Sequence, residues 1–501
     1  MLKRFSRRLL STQTLDSIKE KKLIRTSPFI NGVFLGEGNE IFPVFNPYNQ
    51  SLLANVTSTT TDDILFAFKN TADAFPEFSR TTARSRASIL RNLNDALLSH
   101  ADDLAKLITL ENGKPLADSL GEVKYAASFF EWFSEEATRL NGFIIPSASS
   151  EKRIAAYRKP IGPVGILTPW NFPLAMITRK LGAAIAAGCT SVIKPATETP
   201  LTALAFAQIC KDVGVPSGVV NIVPVSENRV KEVGKQFCES SELRKISFTG
   251  STEVGKILMA QCATKIKKLS MELGGNAPFI VCKDADIEKA VDGLIAAKFR
   301  SSGQTCVCVN RIFVEKDIHD EFVSLLIQKL KKSTRLGPGM DPTVSHGPLI
   351  HKKALKKVKY LVEDAVSKGS KILLGGNHRV DLGKTFYDLT ILDNVNTDMD
   401  IYHNEIFGPV ASIVTVENIQ EAISLANNTD VGLAGYVFSK NYDKCMSISE
   451  EMDVGMVGIN TGLISEAALP FGGVKQSGFG REGSIFGIDE YTIVKSVVVG
   501  M

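Results

Sequence analysis

The chain has 501 residues, of which 44% are hydrophobic, and its 58 basic and 54 acidic side chains leave a net charge of +4. This length and apolar content suffice for two or three domains, each with its own core. No apolar run approaches the roughly 18 residues that cross a bilayer, so we expect no membrane partner. Four residues near the N-terminus supply the excess charge, Lys3, Arg4, Arg7 and Arg8. Because the rest of the chain is balanced, nucleic acid is not expected as a partner either.

Eight cysteines and six histidines are spread over the chain without a C-x-x-C pair. In a chain this long, that spacing indicates neither a disulfide scaffold nor a structural metal site. We therefore expect reduced thiols, no metal, and a cytosolic or mitochondrial matrix compartment.

The first 22 residues combine those basic side chains with a few apolar and hydroxyl residues, and no acidic residue precedes Asp16. This composition is typical of an amphipathic mitochondrial transit peptide. Cleavage near Leu10 would leave a nearly neutral mature protein in the mitochondrial matrix. The alternative is a disordered basic tail on a cytoplasmic protein.

The predicted elements begin with short strands within residues 29–32 and 41–47. Apolar residues then recur with helical spacing from residue 62 to residue 142. Residues 154–159 alternate as a strand or a hairpin arm does. The β-branched tail at residues 491–499 is expected to be extended and, with that arm, to pair across a subunit boundary.

Between the arm and the tail, strands alternate with helices. The first group has strands at residues 164–167, 191–193, 219–223 and 245–248, and helices at 173–187, 200–213 and 227–238. A second group follows Glu272, with strands at 278–281 and 311–314 and helices at 286–299, 318–330 and 354–368. This alternation predicts parallel sheets covered by helices on both faces.

A small, polar, glycine-containing turn at residues 299–308 carries Cys306 between a predicted helix and the apolar run at 312–314. A thiol at such a boundary is placed to gain from nearby backbone N–H groups, as a nucleophile does. The competing interpretation is a small buried hydrophobe, as most free cysteines are.

Two glycine-rich segments compete as dinucleotide sites. Residues 478–483 match G-x-G-x-x-G, but no predicted strand runs into them, and the motif is weak without one. Residues 250–255 follow the strand at 245–248 and precede a helical pattern, so their backbone could approach phosphate at a helix N-terminus. The alternative for residues 250–255 is an ordinary glycine-rich turn.

Five further segments accompany the cysteine turn: 168–173 (TPWNFP), 194–195 (KP), 248–251 (FTGS), 271–275 (MELGG) and 404–409 (NEIFGP). In this order and spacing the chain resembles the aldehyde dehydrogenase superfamily, from about Phe29 to the C-terminus. The resemblance implies an α/β fold with a Rossmann-type cofactor domain, an α/β catalytic domain and a small β oligomerisation arm.

The resemblance also implies a division of the chain. Residues 1–22 would be the transit peptide or disordered segment, 23–145 and 161–271 the dinucleotide-binding domain, 272–470 the catalytic domain, and 146–160 with 484–501 the oligomerisation arm. Such an arm implies a homo-oligomer, either a tetramer or a dimer.

NAD or NADP is the cofactor that the resemblance implies. The residues that would bind it are Thr168, Trp170, Lys194, Thr197, Gly250, Ser251, Gly255, Leu273, Glu405 and Phe407. Lys194 follows a predicted strand at the sheet edge where ligands of open α/β folds bind. NAD-preferring relatives often carry a glutamate where this chain has Thr197. A carboxylate there would repel a 2′-phosphate and threonine does not, so NADP use and dual use both stay open, with Glu198 placed to compensate.

For the chemistry, the resemblance implies three residues in named roles. Cys306 would attack the aldehyde carbon as a thiolate. The side-chain amide of Asn171 and the backbone N–H of Cys306 would hold the oxyanion. Loss of hydride to the nicotinamide would leave a thioester, and Glu272 would act as the base for the water that hydrolyses it.

Three segments, 299–308, 454–465 and 470–478, resemble the branch of the superfamily that oxidises succinate semialdehyde in 4-aminobutyrate degradation. In that branch two arginines and a serine bind the far carboxylate of the substrate, and they correspond to Arg179, Arg300 and Ser465. The planar fork of arginine suits a carboxylate. Glutarate semialdehyde or another carboxylate-bearing aldehyde would satisfy the same side chains, and Arg179 could instead make a structural ion pair.

Cys308 lies two residues after Cys306, close enough for a strained disulfide that would switch the enzyme off under oxidation. The alternative is a packed thiol without a role. A non-catalytic oligomer that kept the fold should have lost Cys306, Glu272 or Asn171, and all three are present. A cysteine hydrolase would need a histidine base, but the six histidines form no recognisable pairing with Cys306.

Overall fold

The computed structural model of this chain describes residues 14–36, 38 and 40–501. The most basic part of the expected leader, residues 1–13, lies outside the described residues. Residues 14–22 pack on the body, where Ile18 is buried and the backbone N–H groups of Lys19 and Glu20 donate to the Asp103 carboxylate at 3.1 and 2.8 Å. The disorder expected up to residue 22 is therefore corrected, because this end of the segment belongs to the folded core.

The α-helices of the described residues are Thr61–Phe78, Ala83–Ser99, Ala101–Asn112, Leu116–Glu136, Ala175–Ala187, Pro200–Asp212, Val230–Glu239, Thr252–Cys262, Ile287–Phe299, His319–Ser333, Lys352–Ser367, Asp400–His403, Ile419–Asn427, Tyr442–Glu451 and Ser484–Asp489. The first four account for the helical spacing between residues 62 and 142. In the part of the chain that the structure describes, no helix combines the length and the apolar character needed to span a bilayer.

The strands, in chain order, are β1 Phe29–Ile30, β2 Val33–Phe34, β3 Ile41–Phe45, β4 Leu52–Thr57, β5 Phe143–Ile145, β6 Lys152–Pro160, β7 Val164–Leu167, β8 Ser191–Lys194, β9 Val220–Ile222, β10 Lys245–Thr249 and β11 Lys268–Glu272. They continue with β12 Ala277–Val281, β13 Val309–Glu315, β14 Lys371–Leu374, β15 Thr390–Asp393, β16 Val410–Val416, β17 Val431–Gly432, β18 Ala434–Phe438, β19 Met456–Ile459, β20 Val474–Lys475, β21 Gly478–Phe479 and β22 Thr492–Gly500.

The first large sheet has the order β2-β1-β9-β8-β7-β10-β11-β21. Its central strands β9, β8, β7, β10 and β11 are parallel. Strands β7, β8 and β10 are buried along their whole length, as parallel strands covered on both faces are. The carboxyl ends of β7, β10 and β11 therefore meet at one edge, where Leu167, Thr249 and Glu272 end neighbouring strands.

The second large sheet has the order β14-β15-β16-β13-β12-β18-β19 and is parallel from β15 to β19. The chain leaves the first sheet at Glu272 and enters the second at Ala277, four residues after Leu273. Helix Ile287–Phe299 then leads through the cysteine turn into β13, which begins at Val309. The crossing between the two sheets and the cysteine turn are thus adjacent.

The third sheet consists of β5, β6 and β22. β22 pairs antiparallel with β6 along its whole length, from Thr492 opposite Pro160 to Gly500 opposite Lys152. The arm and the tail that the sequence predicted as extended therefore pair with each other within one chain. The sheet leaves large apolar side chains exposed, among them Phe143, Ile144, Tyr157, Val494 and Val498.

The G-x-G-x-x-G segment at residues 478–483 differs in one respect from the prediction. No strand was expected to run into it, but β20 precedes it and β21 lies within it. β21 runs antiparallel to β11 at the edge of the first sheet. This segment therefore lacks the parallel strand, turn and helix that a dinucleotide-binding motif needs. Residues 245–262 have this arrangement, because the parallel strand β10 leads into helix Thr252–Cys262.

Candidate active site

Two cavities meet at Cys306. A larger cavity of about 550 Å³ is lined by Asn171, Glu272 and Cys306 together with the residues around Gly250 and Glu405. A smaller cavity of about 280 Å³ is lined by Cys306 together with Arg179, Arg300 and Ser465. One sulfur atom therefore faces both the groups predicted for the cofactor and the groups predicted for the substrate.

The cysteine turn is held in an unusual backbone conformation. Ser301, Ser302 and Gly303 have φ angles of 51°, 55° and 73°, in the left-handed region that non-glycine residues rarely adopt. The Asp118 carboxylate accepts hydrogen bonds from the backbone N–H of Ser301 at 2.9 Å and from its hydroxyl at 3.3 Å. A side chain at Gly303 would lie 2.2 Å from the Gly408 carbonyl. These contacts determine where the turn presents Arg300 and Cys306.

The Cys306 thiol is part of a charged cluster. Burial raises its pKa well above the ordinary value for cysteine, and the negative charge of the nearby Glu272 carboxylate raises it further. The Arg179 guanidinium opposes this effect and lowers the pKa. Cys306 is therefore a protonated thiol at neutral pH in this state, next to a carboxylate that can take its proton.

Asn171 lies in the loop after β7 and contacts the cysteine turn. Its Nδ2 donates a hydrogen bond to the Gln304 carbonyl at 3.2 Å, and its Oδ1 is buried without a hydrogen-bond partner among the described residues. The neighbouring Trp170 carbonyl accepts a bond from Asn112 Nδ2 at 2.9 Å. Both contacts fix the loop, so the second hydrogen of the Asn171 amide is available in the larger cavity.

Glu272 is the last residue of β11 and is buried, with 3% of its surface exposed. Its Oε2 accepts a hydrogen bond from Arg179 Nη2 at 2.9 Å. Its Oε1 has no hydrogen-bond partner among the described residues. A surface carboxylate, the competing interpretation of this residue, is thus excluded.

The walls of the larger cavity fit a nicotinamide dinucleotide. Gly250 and Ser251 line it at the N-terminus of helix Thr252–Cys262, where unpaired N–H groups and the positive end of the helix dipole favour phosphate. Phe407 and Trp170 also line this cavity and contact each other edge to face, with ring centroids 5.6 Å apart. Glu405 accepts a bond from Gly275 N at 3.2 Å, and burial raises the pKa of its carboxyl to about 7.

Four of the predicted cofactor residues lie beside the larger cavity and not in its wall: Thr168, Lys194, Thr197 and Gly255. Lys194 is buried, donates to the Pro195 carbonyl at 2.8 Å, and has a pKa lowered to about 8 by that burial. Thr197 donates to the Val225 carbonyl at 3.0 Å. A side chain at Gly255 would lie 2.5 Å from Leu273, so this glycine permits close packing of the helix on the strand.

The structure adds residues that the sequence did not single out. His351, Lys353 and Lys357, at the start of helix Lys352–Ser367, also line the larger cavity. Tyr125 and Phe172 line the smaller one, and the Tyr125 hydroxyl is buried without a hydrogen-bond partner among the described residues. The run of lysines at residues 352–359 is evident in the sequence and favours an anionic ligand. The sequence does not show that this run lies beside the larger cavity.

The smaller cavity gathers the three residues predicted to bind a carboxylate. Arg300 ends helix Ile287–Phe299 and lies 5.7 Å from the centroid of the Phe172 ring. Arg179, in helix Ala175–Ala187, forms ion pairs with Glu272 and Glu482 as well as lining the cavity. The structural ion pair that was the alternative for Arg179 is therefore present, in the same place as the predicted substrate contact.

Cys308 is buried and free. Lys298 Nζ approaches its sulfur at 3.4 Å, and burial raises the pKa of the thiol. It lines neither of the two cavities described above. Among the described residues, no group of three or more histidine, cysteine, aspartate or glutamate side chains is arranged to hold a metal ion.

Comparison with known proteins places this geometry in a family. The model of the aldehyde dehydrogenase family matches residues 34–497. Succinate-semialdehyde dehydrogenase (NADP+) of Saccharomyces cerevisiae is 45% identical over 491 residues, 98% of this chain and 98% of that protein. The mitochondrial succinate-semialdehyde dehydrogenase of Homo sapiens is 47% identical over 478 residues, 95% of this chain and 89% of that protein. The crystal structure of succinate-semialdehyde dehydrogenase from Burkholderia pseudomallei superposes with a TM-score of 0.94 at 44% identity, covering 97% of this chain and 100% of that one.

Proposed function

The chain belongs to the aldehyde dehydrogenase family, and we propose that it oxidises succinate semialdehyde to succinate with NAD or NADP as hydride acceptor. The observation that carries this proposal is the position of Cys306 between a cavity suited to a dinucleotide and a cavity with two arginines. Relatives that carry the name succinate-semialdehyde dehydrogenase match nearly the whole chain. Steady-state assays with both cofactors, and with charged and neutral aldehydes, test the proposal.

The first chemical step is attack of the Cys306 sulfur on the aldehyde carbon. Glu272, which lines the same cavity as Cys306, takes the proton of the thiol and so supplies the thiolate that burial disfavours. The Asn171 amide and the backbone N–H of Cys306 hold the oxygen as it becomes negative, and one such donor is worth roughly 100- to 1,000-fold in rate. The bound cofactor supplies the hydride acceptor that turns the resulting adduct into a thioester on Cys306.

The second step is hydrolysis of that thioester. Glu272 first releases the proton that it took from the thiol to solvent and is a carboxylate again. It then takes a proton from water, the water oxygen bonds to the carbonyl carbon, and the Cys306 sulfur leaves as a thiolate. The free Oε1 of Glu272 supports this role, since an acceptor without a partner is available for a water molecule. All three residues that a non-catalytic relative should have lost line the same cavity.

Arg179, Arg300 and Ser465 are proposed to bind the far carboxylate of the substrate. Two guanidinium groups in a cavity of about 280 Å³ favour a short aldehyde that carries a negative charge. Glutarate semialdehyde, one methylene longer, is the second candidate because it would use the same side chains. With succinate semialdehyde as substrate, the enzyme would act in 4-aminobutyrate degradation.

For the cofactor, we propose that NADP is accepted. Thr197 is neutral where a carboxylate would repel a 2′-phosphate, and the yeast relative is named for NADP+. Thr168, Lys194 and Gly255 are proposed to support the adenosine end of the site from beside the cavity. Trp170, Leu273, Glu405 and Phe407 are proposed to enclose the nicotinamide end.

The proposed division into domains corresponds to the three sheets except at two strands, since β5 of the three-stranded sheet lies within residues 23–145 and β21 of the first sheet lies outside 23–145 and 161–271. We assign residues 23–145 and 161–271 to the dinucleotide-binding domain, 272–470 to the catalytic domain, and 146–160 with 484–501 to an oligomerisation arm. The exposed apolar side chains of the three-stranded sheet support a dimer or tetramer of identical chains. The basic N-terminal segment supports import into the mitochondrial matrix, with a leader that ends before the packed residue Ile18.

A further inference from the structure

Arg179 binds two carboxylates at once. Its Nη2 donates to Glu272 Oε2 at 2.9 Å, and its Nε forms an ion pair with Glu482. The three side chains are buried, with exposed fractions of 1% for Arg179, 3% for Glu272 and 8% for Glu482. In such surroundings each charge depends strongly on its partners, because water contributes little screening.

The two carboxylates are not held equally. Glu482 has a second cation, since its Oε1 is bound by Lys180. Lys180 in turn donates to the Thr249 hydroxyl at 2.6 Å, which fixes its position. Among the described residues, Glu272 has an ion pair with Arg179 alone. If a third anion binds Arg179, Glu272 is therefore the carboxylate that we expect to lose its ion pair with Arg179.

A third anion is what the proposed substrate brings. Arg179 lines the smaller cavity beside Arg300 and Ser465, and Cys306 lines it too. We propose that the carboxylate of the bound substrate displaces Glu272 from Arg179 and so makes Glu272, whose Oε1 has no partner among the described residues, a stronger base toward water. This inference rests on the proposed function, because it assumes that the substrate carries a carboxylate. Arg179 is then a positioning residue for the base, in addition to a contact of the substrate.

The consequence lies in the hydrolytic step. A neutral aldehyde leaves the ion pair between Arg179 and Glu272 in place, so Glu272 stays a weak base. A weak base can still take the proton of a thiol, which is a much stronger acid than water, so Cys306 is acylated but its thioester is hydrolysed slowly. A carboxylate-bearing aldehyde occupies Arg179 throughout the reaction, so Glu272 is free when water attacks. Discrimination between the two would therefore appear in turnover and not in binding alone.

A substrate supplied in two pieces tests this inference on the wild-type enzyme. Propionaldehyde and formate together contain the four carbons of succinate semialdehyde, with the carboxylate on a separate molecule. With propionaldehyde alone we expect a burst of reduced cofactor in the first turnover, followed by a slow steady rate. Formate should raise the steady rate on the order of tenfold, a part of the roughly 100- to 10,000-fold that a positioned base contributes. Sodium chloride at equal ionic strength should have no such effect.

Two variants locate the effect. Arg300→Lys should need more formate for half-maximal activation, because Arg300 is a proposed carboxylate contact, but it should keep the activation at saturating formate, because Arg300 has no ion pair with Glu272 among the described contacts. Arg179→Lys should lose it, since one ammonium group cannot replace a guanidinium that binds on two sides. If formate leaves the steady rate unchanged or lowers it in the wild type, the inference is wrong, whether or not Arg179→Lys folds. Turnover of succinate semialdehyde, measured in parallel, decides separately on the proposed function.

Discussion

The side-chain amide of Asn171 donates a hydrogen bond of 3.2 Å to the carbonyl of Gln304, two residues before Cys306. This bond joins the loop after β7 to the cysteine turn, and these two segments are more than 130 residues apart in the chain. The proposed oxyanion donor and the proposed nucleophile are therefore positioned by one contact.

Replacing Asn171 by alanine should lower kcat roughly 100- to 1,000-fold, because one donor to the developing oxyanion is lost. KM for the aldehyde should change little, since the donor acts mainly in the transition state. Steady-state kinetics measure both values, and thermal unfolding shows whether the fold is kept. A folded Asn171→Ala enzyme with nearly normal kcat would remove Asn171 from the mechanism.

The raised pKa of Cys306 predicts how the unliganded enzyme reacts with iodoacetamide. Because burial and Glu272 raise this pKa, the thiolate fraction should still be growing at pH 9, and the alkylation rate should rise about tenfold for each pH unit from 7 to 9. Mass spectrometry of the peptide that contains Cys306 gives the rate. A rate that levels off near pH 7 would mean that the thiolate is already formed in the free enzyme.

Thr197 tests the choice of cofactor. A Thr197→Glu enzyme should lose at least about tenfold in kcat/KM for NADP, because a nearby like charge costs more than the roughly 1.4 kcal/mol that tenfold requires. We expect kcat/KM for NAD to change less than kcat/KM for NADP. Thr197→Gln, similar in size but neutral, is the matched control and should keep the wild-type ratio. If both variants change the ratio alike, charge at residue 197 does not select the cofactor.

Cys308 is proposed to protect or switch the enzyme through a disulfide with Cys306. Peroxide should then inactivate the wild type in a way that thiol reductants reverse, because a strained disulfide is readily reduced. In Cys308→Ala the same treatment should give irreversible loss, as a lone thiolate is oxidised further. Recovery of activity after reduction settles the matter, and full recovery in Cys308→Ala would rule out the disulfide.

Much of the fold was predictable where apolar residues repeat regularly. The strands and helices between residues 164 and 249 were each predicted within a few residues, because buried parallel strands and the helices beside them alternate there in a simple order. Strands β14 to β19 were not predicted. Strands β15, β16 and β18 are buried along nearly their whole length, and β16 and β18 pair with β13 and β12, which are about a hundred or more residues away, so no alternating pattern or nearby partner marks them.

The residues of the site differ in the same way in how well the sequence predicted them. Residues in contiguous motifs, such as Cys306, Glu272 and Asn171, were found from the sequence and line one cavity. The cluster of Arg179, Glu272 and Glu482 was not predicted from the sequence. Its members come from helix Ala175–Ala187, from β11 and from the segment after β21. Such a charge network exists only after the chain has folded, and periodicity carries no information on it.

The most direct test of the whole account compares two aldehydes on one variant. Arg300→Ala should lower kcat/KM for succinate semialdehyde roughly 10- to 100-fold, the value of a charge-assisted hydrogen bond, while propionaldehyde loses little. The same enzyme preparation serves for both substrates, so any damage to the fold affects them equally. The predicted result is a selective loss with the charged aldehyde. Equal losses with both aldehydes would contradict recognition of a substrate carboxylate beside Cys306.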